Sequence, residues 1–264
     1  MNRIDKKFAE LKKLGRKALV AFITAGDYGL QNTKKLVLEF EARGADIIEL
    51  GIPFSDPVAD GPTIQISSER ALKKGTRLKD VISAVGELRK KTEMPIVLMG
   101  YYNPILKYGI NKFISDCAKN GVDGAIIPDL PPEESGELVS AARKKGFATI
   151  FLLSPTSTAA RIKLISKYSR GFIYYVSLTG ITGARSSLPG GLASRVRLIK
   201  RHSKLPVCVG FGVSNPAQVR QICRAADGAI VGSAIVKEME KNYAKKRFIG
   251  NVGDYVQKLA EASH

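Results

Sequence analysis

DIIELGIPFSDPVADGP, residues 46–62, reads as a buried strand that runs into a rigid loop. Ile47, Ile48 and Leu50 flank Glu49 with none of the alternation of a half-exposed strand, so both faces are expected to be covered. Pro53 and Pro57 then exclude helix and central strand. Asp60 lies eleven positions beyond Glu49. A carboxylate on a rigid strand end, faced by another on a loop, provides two proton-transfer groups in different environments. Acid–base chemistry on a neutral carbon skeleton needs that division of labour. Asp56 and Asp60 have an alternative reading as turn-shaping residues, since Asp-Pro and Asp-Gly pairs commonly build turns. Glu49 is harder to dismiss, because burying an ion in an apolar run is costly.

Runs of the same kind recur along the chain, at 19–24, 46–51, 95–99, 124–127, 148–153, 172–176, 206–210 and 228–231. Helical patterns follow each of them, most clearly at 31–43, 77–91, 110–120, 133–145, 158–168, 191–202, 215–224 and 252–262. Thr158 and Asn215-Pro216 are start signals, and Gly44, Gly121 and Gly146 are stops. Strands buried on both faces make a parallel sheet. Eight βα units predict a (β/α)8 TIM barrel, α/β in class, as a single domain over 1–264. An extra N-terminal helix at about 2–14 is expected over the barrel bottom. Residues 52–75 add a loop and a further helix on the catalytic face. An open Rossmann-type sheet is the structural runner-up, but no GxGxxG-then-acid fingerprint supports it.

Composition narrows the function. At 264 residues and 44% hydrophobic content, the chain can bury a sizeable core. No stretch is long and apolar enough for a bilayer-spanning helix, and the charged N-terminus lacks signal-peptide features, so a cytoplasmic protein is expected. Cys117, Cys208 and Cys223 are far apart and read as reduced packing residues. His202 and His264 have no partner at metal-ligand spacing, which argues against zinc and Ser-His-Asp chemistry, and no metal is expected. The net charge of +18 is spread over many short Lys/Arg pairs on predicted helix faces. Without aromatic interleaving it does not make a nucleic-acid platform, though it favours an anionic substrate or acidic partner.

Active residues of a barrel project from the C-terminal ends of its strands. Those ends offer Phe22, Glu49, Met99, Tyr101, Ile127 and Tyr174. Phe22, Met99, Tyr101 and Ile127 are either plain core or an apolar wall around Glu49 suited to a flat aromatic substrate. Gly183, Gly210-Phe211-Gly212 and Gly232-Ser233 lie on loops where backbone amides can approach an anion, and a helix starting near Ser233 adds its positive end. Residues 178–192 form a long glycine-rich loop, expected to be a lid that is mobile without ligand, with Arg185 exposed or in contact on closure. No lysine ends a predicted strand, which argues against Schiff-base aldolase chemistry.

Taken together, FITAGD (22–27), ELGIPFSDPVADGPTIQ (49–65), MGYYNPILKYG (99–109), TGITGAR (179–185), GFGVS (210–214) and GSAIVK (232–237) resemble the tryptophan synthase alpha chain family nearly end to end. The resemblance implies a barrel that cleaves indole-3-glycerol phosphate to indole and glyceraldehyde 3-phosphate. By motif, Glu49 and Asp60 match the catalytic carboxylates, Tyr174 the active-site tyrosine, and Thr182 the loop threonine that meets the aspartate on closure. Gly183, Gly212, Gly232 and Ser233 match phosphate-binding positions. The resemblance also implies no cofactor in this chain and an α2β2 heterotetramer with a beta subunit that carries pyridoxal phosphate. The strong basic charge departs from the family pattern. A related phosphate-binding barrel isomerase or synthase, and a basic binding protein with a retained barrel, are the competing classes.

Overall fold

A computed structural model describes residues 2–176, 191–210 and 212–264. Among them lie β1 (Ala18–Thr24), β2 (Ile47–Gly51), β3 (Ile96–Met99), β4 (Gly124–Ile126), β5 (Ala148–Ile150), β6 (Leu152–Leu153), β7 (Ile173–Val176), β8 (Val207–Gly210) and β9 (Gly228–Val231). All pair in parallel, in the order β5-β4-β3-β2-β1-β9-β8-β7-β6. The predicted strand over 148–153 is thus two short strands separated by Phe151. The first pairs with β4 and the second with β7. Inner and outer faces still alternate across the break, with Ile150 inside and Phe151 outside. The break is therefore a change of hydrogen-bonding neighbour, not of direction. Arg170 N donates to Thr149 O at 2.8 Å and Tyr174 N to Phe151 O at 3.2 Å, which stitches the seam. The sheet curls into the predicted (β/α)8 barrel.

Period-two alternation sorts the strand residues into two cores. Leu19, Ala21, Ile23, Ile48, Leu50 and Leu98 face outward and pack under the helices. Ala18, Val20, Ile47, Val97, Ile126, Tyr174, Cys208 and Ile230 fill the interior. The N-terminal helix Arg3–Lys13 closes the lower end. Its Ile4, Phe8 and Leu11 join the interior cluster, with the Phe8 ring 6.0 Å from that of Phe172. Asn2 caps this helix and reaches across to Asp123 O at 2.6 Å and Gly146 O at 3.0 Å.

The helix Pro62–Lys73 follows the Asp60 loop directly, with Pro62 in its first turn, where the missing N–H costs nothing. Two contacts fix it against β1. Thr24 Oγ1 lies 2.6 Å from Ser67 Oγ, and both side chains are buried. Arg70 grips the fully buried Asp27 with two hydrogen bonds, at 2.6 and 3.0 Å, and lies over the Tyr28 ring. Two departures from the sequence pattern have local causes. The helix expected from residue 133 starts at Gly136, because Pro131 and Pro132 impose a turn closed by Glu134 N to Pro131 O. A short helix, Tyr102–Tyr108, forms despite Pro104, which sits in its first turn.

Candidate active site

The C-terminal ends of β1, β2, β3, β7, β8 and β9 converge on one open cavity of about 660 Å³, counting its mouth. Glu49, Asp60, Tyr174, Phe22, Met99, Gly212, Gly232 and Ser233 all line it. Glu49 pairs in register with Phe22 on one side and Val97 on the other, so the barrel wall fixes its position. Its side chain is 1% exposed, and Oε2 is buried with no hydrogen-bond partner among the described residues. Burial first, and then the nearby Asp60 charge, push its carboxyl up to about 8. An unpartnered buried carboxyl of this kind is kept for chemistry rather than stability.

Asp60 sits half-buried at the cavity mouth on its turn, with Asp60 N donating to Pro57 O. Desolvation raises its carboxyl to about 6, while a hydrogen bond from the Tyr101 hydroxyl opposes the rise. Tyr101 stacks on Phe54 with ring centroids 5.2 Å apart. It stands behind Asp60 rather than on the main cavity, and lines a small adjoining pocket with Thr24 and Ser68. Phe22, Ile64 and Val236 pack with Met99 into an apolar cluster at the mouth, which keeps the surroundings of Glu49 dry. Two glycines make this possible. A Cβ on Gly51 would come within 2.7 Å of the Phe22 ring, and one on Gly210 within 2.6 Å of the Tyr174 hydroxyl. Burial raises the Tyr174 hydroxyl well above its ordinary value, reinforced by Glu49 and Asp60, so it stays neutral.

The anion cradle is built by backbone. Gly212 takes a φ of +77°, open to glycine, and leads to Ser214 on the cavity wall. Gly232 caps the helix Ser233–Asn242, whose first turn holds no acidic residue and whose cap has no side-chain hydrogen bond. Its leading N–H groups are therefore available to an anion.

Ile127 requires a correction. It packs in the outer core and does not wall the cavity. Alternation places Ile126 inward instead, in register with Met99. Asp129, at the same strand end, accepts from Tyr102 N at 3.0 Å and so serves the helix start there. Thr182, Gly183 and Phe211 lie outside the described residues, as do Arg185 and most of the expected lid over 178–192. The sequence reading missed Ile64, Val213, Ser214, Ile230, Ala234 and Lys237 on the cavity wall. Of these, Ala234 and Lys237 were within reach, because the helix starting at Ser233 had already been placed there.

The family model described as "Tryptophan synthase alpha chain" matches residues 8–264. The chain is 54% identical over 246 residues to the tryptophan synthase alpha chain of Geotalea daltonii, covering 93% of each. It is 52% identical to that of Citrifermentans bemidjiense over 261 residues, covering 99% of this chain and 97% of the other. Its fold superposes on the crystal structure of tryptophan synthase subunit alpha from Legionella pneumophila with a TM-score of 0.93 at 40% identity, covering 99% and 98% of the two chains.

Proposed function

The chain belongs to the tryptophan synthase alpha chain family, and on that premise we propose how its side chains divide the family's reaction. It is a lyase of tryptophan biosynthesis that cleaves indole-3-glycerol phosphate to indole and glyceraldehyde 3-phosphate. The alpha chain works without a cofactor, and pyridoxal phosphate belongs to the beta chain with which it forms α2β2 complexes.

The bond to be broken joins indole C3 to the hydroxyl-bearing carbon of the glycerol chain. Indole cannot leave as a simple carbanion, so C3 must first gain a proton. That step places positive charge on the ring nitrogen. The hydroxyl then loses its proton, the carbon–carbon bond breaks, and its electron pair returns to the ring. One proton enters at C3 and one leaves the hydroxyl, so the balance closes within the site. With a carboxyl raised to about 8, Glu49 enters the cycle protonated at neutral pH. It delivers the C3 proton and then accepts the hydroxyl proton. Asp60, raised only to about 6, is ionised under the same conditions. It stabilises the cationic ring through the N–H. Tyr174 holds a neutral hydroxyl beside Glu49, and Phe22 and Met99 sandwich the flat ring. Gly212, Gly232 and Ser233 hold the phosphate with backbone amides, joined by Gly183. Thr182, which matches the loop threonine of the family's motif, lies outside the described residues.

One observation carries this reading: the unpartnered, buried Glu49 carboxyl opens into the same cavity as Asp60. The beta chain is read as docking on the catalytic face, against loop 52–62. Residues 1–264 are read as one domain. A cytoplasmic location suits the three buried free thiols, which fit a reducing compartment. The test is indole release by purified Glu49→Gln and Asp60→Asn. Each is expected to lose at least about a hundredfold in kcat while retaining the wild-type circular dichroism spectrum. Near-wild-type turnover by either would remove that residue from its role.

A further inference from the structure

We infer that Lys237 is a further substrate-binding residue, whose ammonium supplies the counter-charge for the substrate phosphate and sets the preference for phosphorylated over unphosphorylated substrate. This rests on the reading that the cavity takes a phosphorylated ligand. Lys237 lines the same cavity as Ser233 and Ala234, on the same helix. Four residues separate it from Ser233, so the two share a helix face one turn apart. Side chains on a helix lean toward its N-terminus, and the four-carbon stem is long enough for the ammonium to reach the first turn.

The charges there call for a cation. A phosphate monoester carries about −1.5 to −2 at neutral pH. A helix N-terminus offers only about half an elementary charge, and glycine amides add dipoles but no net charge. Among the described cavity residues, Lys237 is the sole cation, while Glu49 and Asp60 are acidic. Its neighbouring acids are otherwise engaged, Glu240 with Arg70 and Glu238 with Lys241. Lys237 itself has no ion pair among the described residues. It is exposed, so its contribution is screened by salt. That sensitivity separates it from the backbone amides.

The test compares the full wild-type chain with Lys237→Met, which keeps the stem, and Lys237→Arg, which restores the charge. Each is assayed with indole-3-glycerol phosphate and with indole-3-glycerol, at low and high salt. Lys237→Met is expected to raise KM for the phosphorylated substrate about tenfold at low salt, with kcat within about twofold, as for a lost charged hydrogen bond. Its KM should respond less to salt, and Lys237→Arg should recover most of the loss. The kcat/KM ratio of phosphorylated to unphosphorylated substrate should fall by the same factor. Unchanged KM, or an equal loss with both substrates, overturns the inference. Absence of indole release by the wild-type chain would instead strike at the functional reading. Calorimetric titration with glycerol 3-phosphate then still decides the point, with about tenfold weaker binding to Lys237→Met expected and equal affinities overturning it.

Discussion

The Tyr101 hydroxyl donates to Asp60 Oδ2 at 3.0 Å and accepts the Ala59 amide at 3.0 Å, so one ring holds both the loop and its carboxylate. The donated bond favours the ionised form of Asp60 and opposes the upward push of burial. Tyr101→Phe removes it, so the Asp60 carboxyl titrates higher. The acid limb of the kcat/KM profile is expected to move up by about one pH unit, as for loss of a hydrogen bond to a charged group. An unmoved limb would show that Tyr101 only packs.

Glu49 gives stability a pH dependence opposite to that of an ordinary paired carboxylate. Its carboxyl stands at about 8 in the fold against 4.5 as the ordinary value, so the folded state binds the proton more tightly. The native state is then most favoured below the ordinary value, and that advantage fades as pH rises through about 8. Asp60 acts in the same sense over a lower range, from 3.8 to about 6. In urea unfolding the wild type should be roughly 5 kcal/mol less stable at about pH 8 than at about pH 5, with the larger part of that loss coming from Glu49. In Glu49→Gln the part of the decline above about pH 6 should vanish. A wild-type stability that climbs between those pH values would refute the burial argument.

Gly51 and Phe22 form a matched pair, since a methyl on one occupies the ring space of the other. Gly51→Ala is expected to cost about 1–3 kcal/mol by overpacking. Combined with Phe22→Leu, the loss should be smaller than the sum of the single changes, because the two sites share one space. Strict additivity in chemical denaturation would contradict the contact.

Arg70 anchors the helix that follows Asp60 by neutralising Asp27, which has no exposed surface. Arg70→Met leaves that carboxylate buried without its partner, at an expected cost of about 3 kcal/mol. Asp27→Asn in the same chain should return part of it. A loss below about 1 kcal/mol in Arg70→Met would mean water reaches the site and replaces the guanidinium.

The barrel was legible because parallel strands buried on both faces write themselves as short apolar runs, and Glu49 stood out against one of them. The seam at Phe151 was not legible, since the residue pattern is continuous and only the bonding neighbour changes. Ile127 was misplaced by one position, and in a strand one position means the opposite face. The helix Tyr102–Tyr108 was masked by Pro104, a breaker anywhere but the first turn. Tyr101 with Asp60, and Arg70 with Asp27, join residues more than forty positions apart, and no local spacing reports such pairs. Lys237 was one lysine among many until the fold turned it toward the cavity.

The helix that plugs the barrel floor has a consequence for biogenesis. Ile4, Phe8 and Leu11 rest on Phe172, Cys208 and Ile230, partners synthesised long after them. A nascent chain therefore exposes this greasy segment early and has nowhere to seat it until the final stave arrives. Contacts so remote in sequence are slow to form. During that interval its apolar face, Ile4, Phe8 and Leu11, has no interior to cover it.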